Sequence, residues 1–155
     1  MSELLIKKIM TLDVSYIDCS KTVFDAMCLL SEKNTSHVIV TKKGLPYGMF
    51  SSTDVSKYCT KSNSLLCDVM STPLIMTKPE DNILNVSKTM TTNNISALPV
   101  LSNGLMVGII TLHDIVHAFS IASDSSVKDI THKMMIRLAI SDKIKNHQEE
   151  SELVM

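Results

Sequence analysis

The sequence repeats itself, because a shift of 60 positions lays one part of it on another without a gap. Under this shift Gly48 falls on Gly108 and Asp54 falls on Asp114, and the apolar positions of the two copies also coincide. Agreement over such a length is typical of a duplicated structural unit. A unit of about 60 residues buries too little surface to be stable alone, so we expect the two copies to pack together.

Each copy has the pattern of an α/β (α+β) unit with the order β-α-β-β-α. The first helix of copy one is predicted to begin at Thr22, because Asp25 stands three residues on, which is the spacing of a capping box. In copy two, Asp81 or Asn82 is expected to cap the corresponding helix. A glycine turn then predicts a hairpin in each copy. The predicted extended segments are 14–17 and 74–77, the hairpin strands are 36–41, 47–51, 97–101 and 106–111, and the closing helices are 53–58 and 112–121.

The chain is thus predicted to have three parts, with the first repeat at 1–61, the second at 62–122, and a C-terminal amphipathic helix and tail at 123–155. An apolar stripe at helical spacing predicts that last helix, and it consists of Val127, Ile130, Met134 and Leu138. We expect this helix to pack on the repeats or on a second subunit. The alternative is a regulated element that moves when a ligand binds.

Composition and charge limit the possible partners. The chain has 15 Lys and Arg against 16 Asp and Glu, so it has no excess of positive charge to neutralise the phosphates of a nucleic acid. The first ten residues have no long apolar stretch after their charged residues, which argues against a signal peptide. The uncharged stretch 89–111 is broken by turn residues, which argues against a membrane span. We expect a cytoplasmic protein with no membrane partner, whose four cysteines are reduced and mostly buried.

The junction between the last strand and the last helix carries the same polar pair in both copies. Ser51 is followed three residues on by Asp54, and Thr111 is followed by Asp114. One interpretation is structural, since a hydroxyl residue and an acidic residue at this spacing cap a helix. The other is functional, because a helix N-terminus presents N–H groups to an anion, while the hydroxyl and the carboxylate could bind phosphate and ribose. Both interpretations can hold together.

The pattern Gly-apolar-apolar-Ser/Thr-x-x-Asp, after the segment Ser-Ala-Leu-Pro-Val at 96–100, resembles the CBS (cystathionine β-synthase) domain. Copy two is the closer match over 68–119. Copy one is looser over 8–58, because Ile39 stands where Pro99 stands in copy two. The chain is therefore similar to a tandem CBS domain pair, or Bateman module, and this resemblance covers about three quarters of it.

The resemblance implies two clefts related by pseudo-twofold symmetry, each mixing residues of both repeats and each suited to AMP, ADP, ATP or S-adenosylmethionine. One implied cleft has Asp114 at the ribose and Thr111 and His113 near phosphate. Its adenine would lie against Ser36, His37 and Val38, with Thr11 and Ser15 nearby. The other implied cleft has Asp54, Ser51 and Thr53, together with Ser96, Ala97, Ser71 and Ile75. Which of the two is occupied is left open.

Three functions compete at this point. The first is a regulatory nucleotide-binding module that is no enzyme, needs no cofactor and forms a homodimer, with a separate effector protein or none as its downstream target. The second is a structural dimerisation module with vestigial clefts. The third is a zinc hydrolase, because His113 and His117 stand four residues apart on one helix face, although no third ligand is evident. The homodimer is expected from apolar helix faces formed by Val55, Tyr58, Ile115, Ala118 and Phe119.

Overall fold

A computed structural model describes residues 4–121 of the chain. The predicted C-terminal helix at 123–155 lies outside the described residues. Within them the chain forms two compact units. One unit is Leu12–Met76, and the other joins residues 4–11 to residues 77–121.

The unit Leu12–Met76 holds a mixed sheet with helices packed on it. Strand β1 (Tyr16–Asp18) runs parallel to β2 (His37–Lys42), and β2 runs antiparallel to β3 (Leu45–Ser51). The helices are α1 (Val23–Glu32), α2 (Ser52–Tyr58) and the short α3 (Leu66–Val69), with a 3-10 turn at Cys59–Lys61. Their apolar faces meet in a buried cluster of Val23, Ala26, Leu30, Val38, Val40, Phe50 and Leu66.

The second unit repeats this arrangement with one strand fewer among the described residues. It begins with a 3-10 turn at Ile6–Lys8 and continues with α4 (Ile83–Asn93), β4 (Ala97–Ser102), β5 (Leu105–Thr111) and α5 (Leu112–Ile121). β4 and β5 pair antiparallel. The predicted order β-α-β-β-α is therefore confirmed in the first copy, where strand ends differ from the prediction by one or two residues, and the second copy has the same order with an isolated pairing in place of its first strand.

The two hairpins are built alike. His37 pairs with Ser51 in the first and Ala97 pairs with Thr111 in the second, and each register shifts at the same relative place, at Val40/Thr41 and at Val100/Leu101. Both turns place two successive residues at positive φ, namely Lys43 and Gly44 (52° and 77°) and Asn103 and Gly104 (51° and 77°). Two positive φ values match a type I′ turn, whose twist suits a hairpin.

The extended segment predicted at 74–77 forms only an isolated pairing of Thr77 with Val100. The cause lies at the position that is Ile39 in the first copy and Pro99 in the second. The Ile39 N–H donates to the Ser15 carbonyl at 2.9 Å, which extends the pairing of this segment toward residues before β1. Pro99 stands at that position in the second unit and has no N–H to donate. The substitution of proline at this one position therefore limits the parallel pairing of the second copy to Thr77.

The segment that precedes each repeat's first strand packs on the hairpin of the other repeat. Residues 4–11 lie in the unit of the second repeat, where Thr11 and Ile109 exchange two main-chain hydrogen bonds of 2.9 Å. In the same way Ser71 exchanges two main-chain bonds with Met49 in the unit Leu12–Met76. Each compact unit therefore contains the leading segment of the other repeat, although the sequence repeats run continuously.

A tight approach to glycine accompanies both exchanged segments. A Cβ built on Gly108 would lie 2.8 Å from the Thr11 carbonyl oxygen, and one built on Gly48 would lie 3.0 Å from that of Ser71. The contact at Gly108 is closer than a Cβ comes to a main-chain oxygen, so glycine there lets residues 4–11 dock, while a Cβ at Gly48 would require its neighbours to shift.

Two expectations about burial are wrong. Cys28, Cys59 and Cys67 are exposed and Cys19 is half-buried, so the cysteines are not mostly buried. Ile115 and Phe119 are buried core residues, and Val55 and Tyr58 pack against the core, so the predicted exposed apolar face of α2 and α5 does not exist in that form. An amphipathic pattern identifies an apolar stripe, and here the stripe is covered within the chain itself.

The loop before α4 contains a carboxylate whose ionisation should stabilise the fold. Asp81 accepts hydrogen bonds from the Thr77 hydroxyl and from the Lys78 N–H at 2.9 Å, and these hold its pKa below the ordinary 3.8. A lowered pKa adds stability above the ordinary value, and that stability is lost as the pH falls through the folded value. The predicted alternative cap, Asn82, is the residue that accepts from the Asn85 N–H at the start of α4.

We therefore expect Asp81→Asn to lose less free energy of unfolding than the wild type as the pH falls below about 4. Urea denaturation at a series of pH values measures this. Glu80→Gln is the matched control, since it removes a neighbouring charge from an exposed side chain. A wild-type pH profile in Asp81→Asn would contradict the assignment.

Candidate functional site

The first polar corner lies in the unit Leu12–Met76, where β3 ends and α2 begins. Ser51 is extended (φ −126°, ψ 169°), which turns the chain from the sheet into the helix. The Asp54 carboxylate accepts from the Ser51 N–H at 2.9 Å and from the Ser51 hydroxyl at 3.2 Å. The predicted pair is thus brought together as a helix cap, with both side chains half-buried.

Ser36 and His37 lie beside this corner because β2 and β3 are paired. His37 is opposite Ser51, and the Ser52 N–H donates to the Ser36 carbonyl at 2.9 Å. The Ser36 hydroxyl is 2.9 Å from His37 Nδ1. Val38 is fully buried in the core, so its side chain is surrounded by protein.

The second polar corner lies where β5 meets α5, and its geometry is nearly the same. The Thr111 N–H donates to the Asp114 carboxylate at 2.9 Å, and the Asp114 N–H donates to the Thr111 hydroxyl at 3.1 Å. These reciprocal bonds form a capping box. The Leu112 N–H donates to the Ser96 carbonyl at 2.8 Å, and Ala97 is opposite Thr111 in the sheet and buried.

Thr11 joins the second corner directly. Its hydroxyl donates to the two Asp114 carboxylate oxygens at 3.1 and 3.4 Å, while its main chain is fixed on Ile109. The resemblance implied that Thr11 lies near the adenine in the same cleft as Asp114, but it did not predict this bond between residues that are 103 positions apart. The hydroxyls of Thr11 and Thr111 and the carboxylate of Asp114 therefore lie together in this unit.

The other predicted residues have the following placements. Thr53 and His113 are exposed in the first turns of α2 and α5, and Ser71 is exposed on the segment paired with Met49. Ser15 and Ile75 are half-buried, and Ser15 accepts a main-chain bond from β2. Each of the two predicted clefts contains residues from both units. The assembly of these residues into a complete cleft stays a prediction.

The same short motif also occurs where no ligand was predicted. Thr22 and Asp25 form a capping box at the start of α1, and the Asp25 carboxylate accepts from the Thr22 N–H at 3.0 Å. The hydrogen bond from the Thr22 N–H lowers the pKa of Asp25 most, and the bond from the Thr22 hydroxyl lowers it further. A hydroxyl and an acid at this spacing are therefore insufficient to identify a binding site.

A metal site receives no support from the described part of the chain. His113 and His117 are both exposed on α5. Residues 4–121 contain no group of three or more His, Cys, Asp or Glu side chains that could hold a metal ion. Within the same residues, none of the helices has the length and apolar character that crossing a membrane requires.

Comparison with known proteins gives consistent matches. The family model for the CBS domain matches residues 6–61 and 66–121. A CBS domain-containing protein of Bacillus subtilis, YhcV, is 27% identical over 134 residues, which are 83% of this chain and 96% of that protein. A homoserine O-acetyltransferase of Methanobrevibacter ruminantium is 33% identical over 122 residues, or 77% of this chain. The chain spans only about a quarter of the length of that enzyme.

Among solved structures, the CBS domain pair of the protein MJ0100 matches with a TM-score of 0.71 and 23% identity. The match covers 77% of this chain and 98% of that one. That pair was solved in complex with 5′-methylthioadenosine and S-adenosyl-L-methionine. At this level of identity the likeness establishes the fold.

Proposed function

This chain belongs to the CBS domain family, and from that premise we propose that it is a regulatory module that binds an adenosine-containing nucleotide and catalyses no reaction. The proposed ligands are AMP, ADP, ATP and S-adenosylmethionine. The observation that carries the proposal is the duplicated strand-to-helix corner, with a carboxylate held by a hydroxyl residue at Ser51/Asp54 and again at Thr111/Asp114.

The chemistry of these corners suits a nucleoside. A carboxylate offers about four acceptor positions, and among the described residues the Asp114 carboxylate accepts hydrogen bonds from the Thr11 hydroxyl and the Thr111 N–H. The two vicinal hydroxyls of a ribose are donors that such a carboxylate can accept. The N–H groups of the first helical turn favour the negative charge of a phosphate. The adenosine compounds bound to the CBS domain pair of MJ0100 support the same class of ligand.

The second candidate is a structural module whose corners serve only to cap helices. The observation in its favour is that the Thr111 and Asp114 bonds already form a complete capping box, as the Thr22 and Asp25 bonds do at α1. Under this candidate no nucleotide would bind. The two candidates therefore differ in one measurable property.

We further propose that the module acts in the cytoplasm, as a homodimer or on a separate effector protein. Support for a self-contact comes from apolar side chains exposed at equivalent positions of the two repeats, namely Phe24 and Leu84 on the helices and Leu45 and Leu105 at the hairpins. In the archaeal acetyltransferase the matching region is one part of a longer protein, which supports regulation of a linked or bound partner.

A thermal-shift panel should reveal the ligand. We expect at least one of AMP, ADP, ATP and S-adenosylmethionine to raise the melting temperature, because a ligand at one hundred times its Kd adds about 2.7 kcal/mol to the folded state. GMP serves as the matched control for ribose and phosphate without adenine. If no adenosine compound raises the melting temperature above its value with GMP, the structural candidate is favoured instead.

A further inference from the structure

Two of the cysteines lie next to each other in the unit Leu12–Met76. Cys19 directly follows β1, and Cys67 is in α3, far away in the sequence. The Cys67 N–H donates to the Cys19 carbonyl at 3.0 Å, and close by the Leu66 N–H donates to the Lys21 carbonyl at 2.9 Å. The chain after β1 and the start of α3 therefore run side by side at this point.

This contact brings the main chains of Cys19 and Cys67 to a separation that is compatible with a disulfide. A disulfide requires Cα atoms about 4.4–6.8 Å apart, and residues joined by a main-chain hydrogen bond commonly satisfy that range, as hydrogen-bonded strand partners do at about 5.5 Å. Burial raises the pKa of the Cys19 thiol, and the nearby Asp18 carboxylate and Cys67 thiol raise it further.

The two thiols also differ in exposure in a way that suits sequential chemistry. Cys67 is exposed on α3, whereas Cys19 is half-buried and packs against the core cluster around Val23 and Leu66. An oxidant in solution therefore meets Cys67 first. Cys19 is held by main-chain bonds on both sides, since its own N–H donates to the Thr41 carbonyl at 2.8 Å.

We propose that Cys19 and Cys67 are a reversible redox pair that forms a disulfide when the protein meets a hydroperoxide. The Cys67 thiolate attacks one peroxide oxygen, the O–O bond breaks, and a sulfenic acid forms on Cys67 while the other oxygen leaves as water or alcohol. The Cys19 sulfur, losing its proton, then attacks the Cys67 sulfur. The S–S bond forms, the S–O bond breaks, and the hydroxide takes up a proton and leaves as water. Both thiols are oxidised by one electron each, and the peroxide is reduced by two electrons.

The disulfide would tie the end of β1 to the segment that leads from α3 to Ser71. That segment reaches the hairpin through the paired main chains of Ser71 and Met49. The bond would close a long loop of the chain and so restrict the unfolded state. A thiol reductant would reverse it. The thiol chemistry itself requires no bound nucleotide.

The test treats the reduced full chain with hydrogen peroxide, alkylates the remaining thiols and maps the peptides by mass spectrometry without reduction. We expect a Cys19–Cys67 linked peptide with the mass of two hydrogens lost, its disappearance after dithiothreitol, and a higher melting temperature for the oxidised chain. The double variant Cys28→Ser/Cys59→Ser should give the same product, because both of these cysteines are exposed and lie outside the pair.

Cys67→Ser is the variant that removes the exposed member of the pair, and it should keep the melting temperature of the reduced wild type while forming no linked peptide. Three outcomes would overturn the proposal. They are alkylation of both Cys19 and Cys67 after peroxide treatment, linkage between two different chains only, and conversion of Cys67 to a sulfinic acid without a disulfide.

Discussion

Replacing Gly108 with valine should lower the free energy of unfolding by about 3 kcal/mol, the upper part of the range for overpacking a close contact. The added Cβ would lie 2.8 Å from the Thr11 carbonyl oxygen and 3.1 Å from the Met10 sulfur. The oxygen belongs to main chain that is fixed by two bonds to Ile109, so it cannot rotate away. Valine in a strand ordinarily favours stability, so a loss of stability at this position would reflect the contact with Thr11.

Hydrogen exchange distinguishes this mechanism from a general loss of stability. Gly108→Val should lower the protection of the Thr11 and Ile109 amides first, because the leading segment is pushed off β5. Gly104→Ala is the matched control, since nothing lies within 4 Å of its added Cβ and only the positive φ of 77° is strained, at about 1–2 kcal/mol. If Gly108→Val has the melting temperature of the wild type and keeps both amides protected, residues 4–11 are not docked on β5 as described.

Removing the charge of both corner carboxylates should abolish the stabilisation by an adenosine ligand. Each of Asp54 and Asp114 is proposed to accept ribose hydroxyls, and hydrogen bonds to a charged group contribute about 1.5–3 kcal/mol, or a tenfold to hundredfold change in Kd. Asparagine has nearly the same shape and keeps an oxygen that can accept from the Ser51 or Thr111 N–H. We therefore expect Asp54→Asn/Asp114→Asn to fold and to show no thermal shift with the ligand.

Asp25→Asn is the control for this experiment. Asp25 caps α1 with the same geometry and accepts from the same kind of donor, yet it has no proposed contact with a ligand. It should lower the melting temperature of the free protein and leave the ligand-induced shift unchanged. If Asp25→Asn and the double variant change the shift equally, the corners act only as helix caps.

The hairpins and their turns were predictable because the signals are local. Gly44 and Gly104 mark positions that need a positive φ, and the alternation of apolar residues on either side fixes the register. The duplication supported each prediction with a second copy. The single pairing at Thr77 follows from the missing N–H of Pro99, a local feature that the sequence also contains.

The exchange of the leading segments was not predictable from these patterns. Residues 4–11 are adjacent in sequence to the first repeat, and their contact with Ile109 depends on packing across most of the chain. The bond from Thr11 to Asp114 follows from that exchange, so it was missed for the same reason. The apolar stripe containing Ile115 and Phe119 was recognised, but a stripe does not tell which surface covers it.

The candidate site was therefore half predictable. The polar pairs at Ser51/Asp54 and Thr111/Asp114 were identified from spacing, and the structure brings each pair together as a capped corner. Their distinction from the Thr22/Asp25 cap came from the resemblance to CBS domains and from the preceding strand. Spacing alone treats all three alike, because a capping box satisfies the same main-chain donors in each case.

The most direct test of the account is isothermal titration of AMP and of its 2′,3′-dideoxy analogue into the wild type and into Asp54→Asn/Asp114→Asn. If the corner carboxylates hold the ribose, the wild type should bind AMP at least tenfold more tightly than the analogue, and the double variant should lose that preference. Equal affinity of the wild type for AMP and its dideoxy form, or an unchanged preference in the double variant, would contradict the assignment of these two aspartates to the sugar.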